Sequence, residues 1–257
     1  MDKIIKITVS LFIIVLVGFI ALTGYNSYSE SAYRDSLAGT YTYTCAITTD
    51  SPLTNVTLFI PVPADRTGNS PMVSRFSDKT MAGIPGDWNT ALFDTGKATL
   101  LKIAVPSISL PQGTGPAHPQ TVTMTSDTTE KILIDTRNPV ENSVMYHPVQ
   151  NLARTTCPGS STGGNDAASC YTYQTSVYAD YRASPNATVI ITSTLTGKNT
   201  WKIFEPRSNE YTSEITLMLN GEHHGWATAN GTLTTGVGDY TAPVLSSSGI
   251  PASSSQT

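Results

Sequence analysis

The chain has 257 residues, of which 39% are hydrophobic and only 13% are charged, and its formal net charge is −4. This length suffices for one large all-β domain or two small ones, and the 12 Tyr, 6 Phe and 3 Trp argue against a disordered chain. The 15 Lys and Arg are spread thinly along the chain, so we exclude nucleic acid as a partner, because binding it requires a basic face.

The first predicted element is a membrane-spanning helix. Residues 7–24 contain no charged side chain, and their number is close to the roughly 20 residues that cross a bilayer core as a helix. Lys3 and Lys6 precede this stretch, so the positive-inside rule predicts a cytoplasmic N-terminus and an extracellular C-terminal domain. We therefore predict a single-pass cell-membrane protein held in the lipid bilayer by residues 7–24. A cleaved signal peptide and a buried core helix are the alternatives.

The rest of the chain is predicted to be β-structure. Apolar and polar residues alternate with period two, as in Gly39–Thr48, and turn residues punctuate nearly every gap. The predicted fold class is all-β, an antiparallel β-sandwich ectodomain behind a single N-terminal transmembrane helix, with two stacked sandwiches as the alternative. Its parts are an anchor or signal peptide at 1–24, a stalk or linker at 25–38, the ectodomain at 39–245 and a disordered tail at 246–257.

The same alternation predicts the individual strands. Asn220-Gly221 predicts a hairpin turn between the strand that contains Leu217 and Leu219 and the strand around Trp226. Residues 64–98, 106–120 and 150–169 interrupt the strands as long irregular stretches. The predicted strands are Gly39–Thr48, Leu53–Pro63, Leu100–Val105, Thr121–Thr125, Lys131–Asp135, Tyr171–Tyr181, Thr188–Leu195, Trp201–Phe204 and Glu214–Leu219, with two further strands around Trp226 and Leu233.

The three cysteines have different expected roles. Cys157 and Cys170 flank a segment rich in Gly, Ser, Asn and Asp, which reads as a surface loop that a disulfide could close. An exported domain lies where such bonds persist, so we predict this disulfide, with two free thiols as the alternative. A metal site is disfavoured, because structural zinc usually needs four ligands in paired short spacings. Cys45 lies in an alternating strand and is expected to pack as a small buried hydrophobe.

Three sequons are candidates for N-glycosylation. Asn55, Asn186 and Asn230 each begin an Asn-x-Thr triplet, and the predicted export makes these triplets meaningful. Such triplets also arise by chance in a chain that is rich in Thr.

The sequence contains no catalytic motif, and no cofactor is expected. Glu222 and His224 would share one face of a strand and are the weak candidates for a metal site, although an exposed hairpin turn after Asn220-Gly221 is the favoured interpretation. Trp88, Trp201 and Trp226 could stack against sugar rings if they are exposed, whereas large aromatics more often pack in a core.

Three further stretches carry a family resemblance. They read LTNVTLFIPVP (53–63), GIPGDWNTALFDTG (83–96) and IDTRNPVENS (134–143), and a Tyr-rich strand follows them. With these stretches the chain resembles exported, membrane-anchored proteins of methanogenic archaea that have no assigned function. The resemblance implies an N-glycosylated cell envelope and supplies no site residue.

Three functional hypotheses follow from the sequence. The first is a membrane-anchored, extracytoplasmic envelope protein that acts through surface or partner contacts, with an envelope protein or a glycan as partner. The second is an extracellular module that binds glycans or small solutes. The third is an exported hydrolase or metalloenzyme centred on Glu222 and His224.

Overall fold

The computed structural model describes most of the chain. The residues described are 2–77, 80–95, 98–111, 113, 115, 118–157 and 168–241, so the predicted tail at 246–257 lies outside them. The chain divides into two compact units. Of the described residues, the smaller unit contains 2–37, 200–208 and 239–241, and the larger contains those within 38–199 and 209–238.

The smaller unit contains the long N-terminal helix α1, Asp2–Ser36. Its 35 residues span about 52 Å at 1.5 Å per residue. The helix is long and apolar enough to cross a membrane, since an 18-residue stretch of it has a mean hydropathy of 2.7, and the apolar side chains from Ile4 to Leu22 are all exposed. The hydroxyls of Thr8 and Thr23 donate to the carbonyls of Ile4 and Phe19, each at 3.0 Å, so these polar groups are satisfied within the helix.

The larger unit is built on one curled sheet of ten strands, and 54% of the chain is strand. Two short helices, α2 (Val73–Ser77) and α3 (Pro139–Asn142), lie in the connections. The strands are β1 (Ala38–Thr49), β2 (Leu53–Pro61), β3 (Asn89–Asp94), β4 (Thr99–Ile108), β5 (Gln120–Glu130), β6 (Gln150–Thr155), β7 (Ser169–Arg182), β8 (Thr188–Lys202), β9 (Pro206–Asn220) and β10 (His223–Gly238).

The strand order along the sheet is β3-β4-β2-β7-β10-β9-β8-β1-β5. The described strand pairings are antiparallel. Strand β6 is not part of this order; it pairs with the N-terminal part of β7, where Thr155 lies opposite Cys170. The hairpin between β9 and β10 turns at Asn220-Gly221, where Gly221 adopts a φ of 70°. The predicted all-β, antiparallel class behind an apolar N-terminal helix is therefore confirmed.

Alternation along β1 shows how the sequence produces the sheet. Every second residue of this strand is buried, among them Cys45 as a free thiol, and the Thr residues between them face outward. Thr40 and Thr129 bring their hydroxyls to 3.0 Å across the β1–β5 pair, and Thr48 and Thr121 bring theirs to 2.9 Å. Thr therefore supplies cross-strand hydrogen bonds where other proteins place charged pairs.

The structure departs from the predicted strands at several places. Residues 131–135 form an irregular segment instead of a strand, because the side chain of Asn199 bonds both the N–H and the C=O of Ile134 at 2.8 Å. Strands β3 and β6 lie within the predicted irregular stretches 64–98 and 150–169. The two strands predicted around Trp226 and Leu233 are one continuous strand, β10.

Tyrosines fill much of the core, and several of their hydroxyls find partners there, whereas those of Tyr43 and Tyr181 are buried without one. Tyr146 pairs with Ser193 at 3.0 Å and Tyr173 pairs with Ser213 at 2.7 Å. These four residues are almost completely buried, with exposed fractions of 0–2%. Burial without a partner would cost each hydroxyl free energy, so the Tyr–Ser pairs make a polar core tolerable.

The disulfide predicted between Cys157 and Cys170 matches the structure. The two sulfur atoms lie 2.09 Å apart, and the residues are separated by 13 positions in the sequence. Most of the enclosed segment, residues 158–167, lies outside the described residues.

We expect removal of this disulfide to lower the free energy of unfolding by about 3 kcal/mol, because the open chain gains loop entropy in the unfolded state. Urea unfolding of the Cys157→Ala/Cys170→Ala variant measures this loss. Reductant should destabilise the wild-type chain by a similar amount and leave the double variant unchanged. A double variant as stable as the wild type would contradict the expectation.

Candidate functional site

Four aromatic side chains form a continuous row on the outer face of the sheet. We call Phe93, Phe59, Tyr178 and Trp226 the aromatic strip. Their ring centroids are separated by 5.4 Å between Phe93 and Phe59, 5.4 Å between Phe59 and Tyr178, and 5.5 Å between Tyr178 and Trp226. Successive rings are inclined by 66–79°, which is the edge-to-face arrangement that aromatic pairs favour.

Strand register places these rings side by side. Phe59 of β2 lies opposite Tyr178 of β7, and Tyr178 lies opposite Trp226 of β10. Phe93 comes from β3 and reaches Phe59 across β4, while the ammonium of Lys102 on β4 lies 5.9 Å from the centroid of Phe59. The strip therefore extends across five neighbouring strands, and each ring is held by its neighbours.

The two ends of the strip are the parts most open to solvent. Trp226 is 58% exposed and Phe93 is 51% exposed, whereas the two inner rings are half-buried. Isolated exposed hydrophobic residues are ordinary, but a contiguous aromatic patch on a folded surface indicates a contact site.

Polar groups flank the strip at its Trp226 end. His224 and Asp180 are opposite each other on β10 and β7, and Nδ1 of His224 lies 2.7 Å from a carboxylate oxygen of Asp180. The hydroxyl of Tyr178 also donates to Asp180, at 3.4 Å. Both members of the His224–Asp180 pair are substantially exposed, so the pair adds little to stability and its polar atoms are accessible to a ligand.

The three tryptophans named as ligand-stacking candidates occupy different environments. Trp88 is 7% exposed and Trp201 is 2% exposed, so neither can offer a ring face to a ligand. Only Trp226 belongs to the strip. Sequence reasoning missed Phe59, Phe93 and Tyr178, although Phe59 and Tyr178 stand at positions where the alternation of their strands calls for an outward residue.

The Glu222–His224 cluster does not assemble a metal site with its neighbours. Glu222 lies in the turn before β10, and His224 is engaged by Asp180. Among the residues that the structure describes, no group of three His, Cys, Asp or Glu side chains is placed to hold a metal ion.

All three predicted glycosylation sites are on the surface. Asn55 is exposed where the pairing of β2 is irregular and has a φ of 55°, and Asn186 is exposed in the turn between β7 and β8. Asn230 is exposed on β10, on the same outer face as Trp226 and four residues further along the strand. The geometry permits a glycan at each position.

A cleft of about 460 Å³ lies elsewhere in the larger unit, between the segment around Asp65 and the segment that contains His147. Burial lowers the pKa of His147, and its Nε2 is buried without a hydrogen-bond partner. Asp65 accepts hydrogen bonds from Thr67 and Asn69 at 2.6–2.9 Å, and Nε of Arg66 donates to a backbone carbonyl at 3.2 Å. The Asp65 bonds brace its own loop, and the Arg66 bond ties this loop to the carbonyl of Val140.

Comparison of the chain with protein-family models, with curated proteins and with solved structures finds no match in any of the three. The aromatic strip and the apolar helix α1 are therefore the features from which a function can be inferred.

Proposed function

We propose that this chain is a membrane-anchored, extracytoplasmic protein of the cell envelope that acts by contact, without catalysis, and that the aromatic strip is its contact surface. The exposed apolar side chains of α1 support the proposed membrane anchor, because so large an apolar surface needs a lipid environment. The disulfide supports an oxidising compartment. Lys3 and Lys6 before the span favour a cytoplasmic N-terminus.

The ligand class that fits the strip best is a glycan. The face of a sugar ring is lined by C–H groups, and its rim carries hydroxyls, so a sugar needs an aromatic surface bordered by hydrogen-bonding groups. Trp226 supplies the open ring, and the carboxylate of Asp180 with the imidazole of His224 supplies the border. The exposure of Trp226 beside this polar pair is the observation that carries the proposal.

The position of Trp226 provides a direct optical test of glycan binding. Because Trp88 and Trp201 are buried, the long-wavelength part of the tryptophan emission comes from Trp226. A glycan that stacks on Trp226 should shift this emission to shorter wavelength and raise the melting temperature of the full chain in detergent. Screening a panel of envelope oligosaccharides measures both signals.

We expect Trp226→Ala to weaken binding of the responding glycan at least tenfold, which corresponds to about 1.4 kcal/mol. Titration followed by calorimetry measures the loss. Phe204→Ala is the matched control, since Phe204 is 61% exposed and lies outside the strip. Equal affinities for wild type and Trp226→Ala would show that the aromatic strip is not part of the binding site.

The glycan proposal itself fails if no glycan in the panel changes the tryptophan emission or the melting temperature. An envelope protein is then the partner to seek.

A further inference from the structure

The turn between β8 and β9 carries an exposed aromatic ring that contacts the N-terminal helix. Phe204 is 61% exposed and lies at this turn, within the smaller unit. Its ring centroid is 6.1 Å from that of Tyr25 and 5.9 Å from that of Tyr28, both on α1. The two tyrosines are themselves 55% and 57% exposed, so the three rings form an open cluster.

Further contacts show which part of α1 lies beside the turn. The hydroxyl of Ser36 donates to the carbonyl of Lys202 at 2.9 Å and accepts from its N–H at 2.8 Å. One helical turn earlier, the ring of Tyr33 meets Trp201 edge-on at 5.8 Å. From Lys202 to Phe204 the chain therefore runs beside α1, back toward the apolar part of the helix.

The depth of this cluster relative to a bilayer follows from helix geometry. Tyr25 and Tyr28 lie about 4.5 and 9 Å beyond Leu22 along the axis, at 1.5 Å per residue. The headgroup layer on each side of the hydrocarbon core is about 5–7 Å thick. With the hydrocarbon ending between Leu22 and Gly24, the ring of Phe204 lies at the level of the headgroups, where aromatic side chains are enriched.

We propose that the β8–β9 turn is a second membrane contact, in which Phe204 inserts beside Tyr25 and Tyr28 into the headgroup layer at the C-terminal end of the span. The partner is the lipid surface that surrounds α1, because the cluster continues the apolar surface of the helix directly. The inference rests on the proposed function in one respect, since it takes α1 to cross a bilayer. Residues 200–208 thus contact the membrane surface as well as α1.

Site-directed spin labelling of the full chain in phosphatidylcholine–phosphatidylglycerol vesicles tests the contact. A nitroxide is attached at Phe204→Cys and, in a separate variant, at Glu205→Cys, which leaves Phe204 and its ring contacts in place. Labels at Leu22→Cys and Thr228→Cys serve as membrane and solvent references. Cys45 is completely buried and Cys157 is bonded to Cys170, so the introduced thiol is the accessible one among the described residues. The collision rates with oxygen and with a water-soluble nickel complex give the depth of each label.

The labels at positions 204 and 205 should both report a depth between those of the two references, at the headgroup level. Solvent-like collision rates at both positions, with the label at 22 in the hydrocarbon, would overturn the second contact and leave the anchor intact. A label at 22 in water would overturn both the anchor and the contact. Labels at 204 and 205 that are shielded from oxygen and nickel alike would show that protein covers the turn, and this result too would overturn the lipid contact.

Discussion

Replacing Asn199 by Ala should lower the free energy of unfolding by about 3–5 kcal/mol. Asn199 is 1% exposed, and its amide bonds the N–H and the C=O of Ile134 and the side-chain oxygen of Asn209, each at 2.8 Å. Alanine fills part of the space but leaves the backbone groups of Ile134 buried without these partners. The loss should appear as a lower midpoint in urea unfolding followed by circular dichroism.

A surface asparagine provides the control for this effect. Asn230 is exposed on β10, and Asn230→Ala, in protein produced without glycosylation, should change stability by less than about 0.5 kcal/mol. Similar unfolding midpoints for Asn199→Ala and Asn230→Ala would show that the segment around Ile134 does not depend on the Asn199 amide.

Introducing a methyl group at Gly197 should destabilise the chain by about 3 kcal/mol. A Cβ at this position would lie 2.2 Å from a ring carbon of Tyr211, well inside van der Waals contact. The ring cannot move aside at low cost, because Tyr211 is 0% exposed and its hydroxyl donates to the carbonyl of Val144. Thermal unfolding of Gly197→Ala should therefore show a clearly lower melting temperature.

Gly86 is the matched position, because a Cβ there meets no atom within 4 Å and its backbone does not require glycine. Gly86→Ala should be neutral or slightly stabilising, since alanine reduces the freedom of the unfolded chain. Equal melting temperatures for Gly197→Ala and Gly86→Ala would mean that the Tyr211 ring can shift to accommodate the added methyl group at little cost in free energy.

The sequence predicted strands whose two faces differ in polarity, and it predicted a hairpin whose two strands are close in the chain. β1, with apolar residues inward and Thr outward, and the β9–β10 hairpin at Asn220-Gly221 are examples. Lys131–Asp135 has a similar alternation but is not a strand, because a side chain 65 positions away binds its backbone. No sequence pattern near residues 131–135 indicates that Asn199 will bind them.

The aromatic strip could be predicted only in part, for a related reason. Trp226 was identified because tryptophan is rare and large, whereas Phe59 stands at an outward position of β2 that no local pattern distinguishes from the other outward positions as part of a contact surface. Its contacts with Phe93 and Tyr178 depend on the pairings of β2 with β4 and with β7, strands that are far from β2 in the chain. The apolar helix α1, in contrast, could be predicted directly, because an uncharged run of membrane-spanning length needs no tertiary information to be recognised.

The position of β10 in the sheet has a consequence for how this protein is made. β10 lies between β7 and β9, so the hydrogen-bonded path from the β3-β4-β2-β7 half to the β9-β8-β1-β5 half runs through residues 223–238. A nascent chain that has produced only β1 to β9 holds two incomplete half-sheets with open edges. Completion of the sheet must therefore wait for β10, and with so many partners distant in sequence folding should be slow. During that interval the chain depends on whatever protects its unpaired strands.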